Sequence, residues 1–353
     1  MRQAILAVAI LCFGVVNAAA DYVMIVPQKP GGGTSIWAAI VSRELEKFLG
    51  EPIRIQHYPG ARDIPGFNKW HNSLRDDDTT IMVSHGGNAV AFLQEKVAYN
   101  YAEYDSVGMM NLNIIAARRV ADDADTAPVR FAAGSGMVPE ALAMTLLRCG
   151  PLPDVDAYVG CFGDNVIWVK AMSSADRRLA FIRGELTGTR ENPAAFKKHV
   201  QPQIDAGVAE LWFHHGIFDP ETNQHIDDPN YPGYQMEILY MKRWNEAPSG
   251  PLYDAYRLVK SFRDGMQKAL WVRKGNPNLA KLRDALEQLA ASEESMAIIR
   301  KRVGSYDWVI GENGNAFRDT LMTFITEPAL KSLVKFNIEA LGLASKYKPE
   351  LVQ

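Results

Sequence analysis

Two hydrophobic periods alternate along this chain. Val23 to Val26 is a continuous apolar run of strand length, and Ile36 to Leu49 then shows helical spacing. In that helix Ile40, Leu45, Phe48 and Leu49 are the core positions and Gly50 is the stop. Pro52 to Gln56 predicts a second strand, Pro65 to Leu74 a helix, and Thr79 to Ser84 a third strand. A hydrophobic strand then crosses from Ser106 to Ala117. Val129 to Ala133 opens a second series, with a helix over Glu140 to Arg148 and a strand over Val155 to Gly160. Leu179 to Ile182 and Glu210 to Phe213 read as later strands, and Glu237 to Met241 carries the chain back. Ala269 to Val272 reads as a strand of the first series again, before helices at Leu279 to Ala290, Ser292 to Arg302 and Phe317 to Phe324. Strands alternating with helices predict an α/β protein whose parallel sheet is covered on both faces.

The turn after the first strand is the most specific local feature. Pro30-Gly31-Gly32-Gly33-Thr34-Ser35 leads from the strand into the first helix. Glycines there permit φ > 0 and close approach of the backbone to a ligand, and the helix start offers free amides and partial positive charge to an anion. Thr34 or Ser35 is a candidate cap. No Gly-Lys-Ser/Thr follows, which excludes a nucleotide P-loop, and the spacing is not that of a dinucleotide-binding turn. The alternative is a tight βα connection that binds nothing.

Composition narrows the setting. Arg2, the apolar stretch from Ala4 to Val16 and Ala18-Ala19-Ala20 form a secretory leader, with cleavage expected near Ala20. Cys12 lies behind Leu11, a large residue where a lipoprotein signal wants a small one, so a freely soluble exported protein is expected. The net charge is −3, and −4 once Arg2 leaves with the leader, which argues against nucleic acid and against a charge-bound membrane surface. Cys149 and Cys161 remain. An oxidising compartment favours a disulfide. The predicted helix and strand, however, place the two at opposite sheet edges, about 15 to 20 Å apart, where a bridge needs Cα atoms within about 7 Å. Two free thiols are therefore expected.

Further candidates lie at strand ends. His85-Gly86-Gly87-Asn88 presents amides together with a His and an Asn that donate to a carboxylate or carbonyl. Ser135, Gly136 and Met137 would supply facing amides from the second series, and Gly163 and Asn165 come from its next turn. Trp37 is a possible apolar wall, against the simpler reading of a packed ring. The adjacent His214 and His215 would point to opposite faces of a strand, and no other His shows ligand spacing, so no metal is expected. Phe218 to Tyr234 reads as an irregular surface excursion and Asp76-Asp77-Asp78 as a solvated turn. No Ser stands in a nucleophile elbow and Cys161 has no neighbouring base, which leaves catalysis with little support and no cofactor implied.

Several of these elements recur in order in one known family. Val26-Pro27 through Pro30-Gly31-Gly32-Gly33-Thr34-Ser35, then Phe48-Leu49-Gly50-Glu51-Pro52-Ile53 and Tyr58-Pro59-Gly60-Ala61, resembles the opening of the extracytoplasmic solute receptors of tripartite tricarboxylate transporters. Gly134-Ser135-Gly136, Gly160 to Asn165 and Arg183-Gly184-Glu185-Leu186 extend the resemblance more thinly. Where that pattern usually has Asp after the glycines, this chain has Ser35, which removes a charge that would repel an anion. The resemblance implies a type II periplasmic-binding-protein fold: two α/β domains around a central cleft. It further implies capture of a small carboxylate by backbone amides and water, and delivery to the large and small membrane subunits of a permease. The expected division is 21–116 with 240–353 as one domain and 117–239 as the other, in a periplasmic monomer. The alternatives are a periplasmic hydrolase or a sensor-coupled binding protein on the same fold.

Overall fold

The computed structural model describes residues 21–343 and 348, except 61–62, 88–89, 122, 133–138, 171, 220–221, 223 and 305–306. In chain order its elements begin β1 (Tyr22–Val26), α1 (Gly33–Leu49), β2 (Ile53–His57), α2 (Ile64–Ser73), β3 (Thr80–His85), β4 (Tyr104–Asn111) and β5 (Ile115–Arg119). They continue with β6 (Val129–Ala132), α3 (Pro139–Cys149), α4 (Val155–Asn165), β7 (Val166–Val169), α5 (Ser174–Ile182) and β8 (Gly188–Glu191). Next come α6 (Pro193–Ala195), α7 (Gln201–Asp205), β9 (Ala209–His214), β10 (Ile217–Asp219), β11 (Gln224–Ile226), α8 (Met236–Trp244) and α9 (Pro251–Gly265). The chain closes with β12 (Lys268–Arg273), α10 (Leu279–Ala291), α11 (Glu293–Val303), β13 (Asp307–Ile310), α12 (Glu312–Thr323) and α13 (Glu327–Glu339).

Two lobes result. The first is a six-stranded sheet in the order β13-β4-β12-β3-β1-β2. On one face α1 buries Trp37, Ala38, Val41 and Leu45 beside Leu282 and Leu286 of α10. That stripe follows from apolar residues three and four apart, and α1 ends where Gly50 adopts φ +72° and returns its N–H to Glu46. The second lobe holds the antiparallel sheet β8-β5-β9 and the parallel pair β6-β7. The chain crosses between lobes at Leu112 to Ile114, where the Leu112 amide donates to Asp264 O (3.0 Å) and Ile114 O accepts from His215 (3.1 Å). α9 packs against β4 and α12 of the first lobe and against α3, which follows β6 of the second, so it joins the two halves.

The α/β class is as expected, but the sheets are mixed. β1 runs parallel to β2 and β3, whereas β12 is antiparallel to β3 and β4. Two expected strands are helices instead: Val155 to Gly160 lies in α4 and Leu179 to Ile182 in α5, and Glu237 to Met241, the segment expected to carry the chain back, lies in α8. Short apolar runs do not distinguish a buried strand from a helix segment, and the flanking residues decide. Asp154 caps α4 through Ala157 N, and Ser173 caps α5 through Asp176 N. Tyr158 and Phe162, and then Arg177 and Phe181, fall four apart on the buried sides.

The first of these helices also corrects the cysteines. With α4 folded back on α3, Cys149 and Cys161 form a disulfide across a Cα separation of 6.2 Å. The irregular excursion expected from Phe218 to Tyr234 contains the β10–β11 hairpin, and buried Phe218 packs on Phe317 and Phe324 of the first lobe. Closing a loop this short stabilises a fold by about 3 kcal/mol in the chain-entropy account. Reduction of the Cys149–Cys161 bridge, or Cys161→Ser, is therefore expected to lower the unfolding free energy by about 3 kcal/mol, seen as a lower denaturant midpoint. An unaltered midpoint would refute the bridge's contribution.

Candidate functional site

The glycine turn opens α1. Gly31 takes φ +83°. Gly32 is the N-cap, with no side-chain capping bond, so neither Thr34 nor Ser35 fills that role. Both are buried within the first turn instead. The first intrahelical bond is Ile36 N to Gly32 O (2.9 Å), and the amides of Gly33, Thr34 and Ser35 belong to the helix end ahead of it. A Cβ on Gly33 would meet nothing within 4 Å, because this residue borders open space. Pro30 and Gly31 are exposed at the turn's outer edge.

His85, at the end of β3, is held by neighbours that include Gly87, Asp63 and Gln28. Its Nδ1 accepts from Gly87 N (2.9 Å), its Nε2 bonds the Asp63 carboxylate, and the Gln28 amide lies 2.7 Å from the same ring nitrogen. Burial lowers the imidazole pKa against the opposing pull of Asp63, so the ring is neutral at pH 7. Gly86 leaves no room for a side chain, since a Cβ there would lie 2.1 Å from Arg263 O. Gln28, Gly32 and Asp63, with Pro59 and Gly60 of the next turn, line a surface hollow of about 500 Å³.

A cavity of about 320 Å³ lies between the lobes, bordered by Gly33 and Trp37 of α1 and by Leu112 and Ile114 of the crossing. Its other walls are charged: Arg177, Arg178, Arg190, Lys268 and Arg302 against Glu191, five cations to one carboxylate. Glu191 accepts from Arg177 (3.1 Å) and bidentately from Arg178 (3.0 Å each). Behind Arg190, buried Glu140 pairs with it (3.3 Å) and with Arg263 (2.6 Å). Burial alone would raise the Glu140 carboxyl, but the two guanidiniums outweigh it and hold the group well below its ordinary range. Burial, and then Arg263, lowers Arg190, whose Nε is the atom paired with Glu140 but makes no well-aligned hydrogen bond among the described residues. The Nε of Arg177 is likewise buried without one.

Lys268, where β12 begins, completes the arrangement. Its Nζ donates to Thr34 Oγ1 (3.2 Å) on α1 and lies 3.5 Å from Gln267 Oε1, and it forms no ion pair among the described residues. Burial pulls its pKa down to about 8. The cations thus come from both lobes and face one space.

The sequence-selected residues divide accordingly. Gly33 borders the cavity, and Thr34 positions Lys268 there. Pro30, Gly31, Gly32, Ser35, His85, Gly86 and Gly87 cluster around the same turn without lining it. Asn88, Ser135, Gly136 and Met137 lie outside the described residues. Gly163 and Asn165 lie on the last turn of α4, not on a strand-end loop, and Asn165 serves Cys161 O (2.9 Å) and Arg148 (3.2 Å). Trp37 is buried against Trp308 at 6.0 Å, with only its edge at the cavity. His214 and His215 are bound separately, to Tyr231 O (3.0 Å) and Asp264 (2.7 Å). Among the described residues no three His, Cys, Asp or Glu side chains are placed to hold a metal ion. The cavity arginines and Lys268 escaped sequence reasoning. Their one signal is an Arg at position 177, on the same helical stripe as Ala180 and Phe181.

No family model matches the chain. Protein BugT of Bordetella pertussis is 36% identical over 61 residues, which are 17% of this chain and 19% of that relative. The periplasmic binding protein BugD superposes at a TM-score of 0.54 over 92% of this chain and 98% of its own, with 16% identity. A TctC solute-binding protein from Polaromonas gives 0.56 over 89% and 98%, with 14% identity. The chain has the TctC/Bug periplasmic-binding-protein fold. A third example of the TctC/Bug fold, MatC of Rhodopseudomonas palustris with bound malate, gives 0.50 over 91% and 98%, with 17% identity. Among the described residues no helix is long and apolar enough to cross a membrane.

Lys268 provides a titration test. Its proton is present below about pH 8 and lost above, so affinity for an anion should fall as pH rises from 7 to 9, and binding near pH 8.5 should take up a proton. Calorimetry in two buffers of different ionisation enthalpy measures that uptake. Lys268→Arg should abolish it, whereas a wild-type uptake of zero would remove Lys268 from the site.

Proposed function

We propose that this chain is a periplasmic solute receptor that captures a small organic anion, best one with two or more carboxylates, between its lobes. The observation that carries this reading is the cationic cavity between the lobes, above all Lys268, which faces it with no ion-pair partner among the described residues. Desolvated cations are costly unless an anion compensates them. A bidentate carboxylate fits the guanidinium geometry of Arg177 and Arg190, and a second acid group fits Lys268 and the α1 amides. The malate bound to MatC is consistent with this ligand class.

Contacts from both lobes give the ligand higher affinity for a closed form than for an open one, which is the only way binding shifts that balance. The closed receptor would then present its ligand to the membrane subunits of a tripartite tricarboxylate-type transporter, after export and removal of a leader ending near Ala20. A binding role predicts that the ligand is released unchanged, whereas a hydrolase would return a product.

A thermal-shift screen of succinate, malate, adipate and citrate against neutral sugars tests the class. At a hundredfold excess over Kd a ligand stabilises by about 2.7 kcal/mol. The expected result is a saturable rise with at least one acid, recovered intact, and about a tenfold or greater loss of affinity in Lys268→Met. Stabilisation by a neutral sugar alone, or turnover of the acid, would overturn the proposal.

A further inference from the structure

A larger cavity, of about 640 Å³, lies between the β10–β11 hairpin, α8 and α9, and it shares no lining residue with the one between the lobes. Its distinctive group is Arg257. The guanidinium sits 4.9 Å from the centre of the Phe324 ring and 5.9 Å from that of Tyr253. It is half-buried, and among the described residues it makes no hydrogen bond or ion pair. Rings therefore orient this cation while leaving its N–H donors available.

The floor of the cavity is already neutralised. Lys260 pairs with Glu237 and donates to His215 O (3.2 Å), and Tyr253 OH lies 3.3 Å from the same Glu237 carboxylate. Two polar atoms there are nonetheless buried without a partner among the described residues, Oε2 of Glu237 and Nε2 of His225. Burial, with Lys260 next, holds His225 well below its ordinary pKa, so the ring is neutral. With Lys242 at the edge, the lining carries three cations to one carboxylate. The remaining wall is apolar: Ile238, Pro248, Phe324 and Met241, the last of which is 54% exposed.

We infer that this cavity is a second ligand site, for a small monocarboxylate with a flat or branched apolar body. The acid group would lie on Arg257, aided by Lys242, and the body against Met241, Pro248 and Phe324. A methionine wall tolerates ligands of several shapes because its side chain is unbranched and polarizable. α9 links this site to the cleft: Arg257 precedes Arg263, which pairs with Glu140, by six residues, about 9 Å of helix.

Methyl-labelled methionine gives a local readout in the intact mature protein. In a titration with benzoate the Met241 methyl resonance is expected to move saturably. Arg257→Gln should weaken this about tenfold or more, and benzamide, the neutral analogue, should bind the unaltered protein about tenfold more weakly or worse. A Met241 resonance unmoved by benzoate at about 20 mM, equal affinity for benzamide, or unchanged affinity in Arg257→Gln would each overturn the inference. The benzamide comparison decides the matter even if the variant fails to fold.

Discussion

A surplus of positive charge between two lobes is the constraint on which this structure turns. Five cationic side chains border the cavity, Glu191 is the one carboxylate among its described lining residues, and Glu140 behind is shared between Arg190 and Arg263. Adding that buried layer brings in one more cation and one more carboxylate, so the excess of four charges stands. The chain as a whole is acidic, at −3. The imbalance is therefore local, and either water must solvate these cations or an anion must neutralise them. An anion compensates them better, because guanidiniums accept a carboxylate bidentately and the low-dielectric surroundings strengthen the pairing.

The architecture explains how charges from distant parts of the sequence reach one space. β4 leaves the first sheet, crosses at Leu112 to Ile114 and re-enters as β5 of the second. The chain returns through α9 to β12, whose first residue is Lys268. Lys268 thus stands on the first lobe beside Thr34, while Arg177 and Arg190 stand on α5 and β8 of the second. Closure would bring the two sets together around an anion, and their mutual repulsion would oppose closure without one.

What was legible in the sequence was what backbone physics writes into residue type. Gly31 and Gly50 mark positions of positive φ, and α1 between them carries a clean apolar stripe. The α/β class could therefore be read directly, whereas a cleft beside the glycine turn was only what the family resemblance implied. Two short apolar runs could not, because Asp154, Ser173 and the spacing of Tyr158 and Phe162 make helices where apolarity alone suggested strands. Misreading α4 displaced Cys161 by a sheet's width and so concealed the disulfide with Cys149. The charged wall was hidden for another reason. Arg177, Arg190 and Lys268 are the commonest kinds of solvated surface residue, and only the fold reveals that they converge. The sequence pointed to amides; the structure adds side-chain cations to them.

The most direct measurement is a crystal structure of the protein with a bound dicarboxylate. The account predicts one carboxylate within hydrogen-bonding distance of Lys268 Nζ, and the other on Arg177 or Arg190 across the cleft. A ligand held by the glycine turn alone, or seated away from the space between the lobes with no contact to these cations, would contradict it.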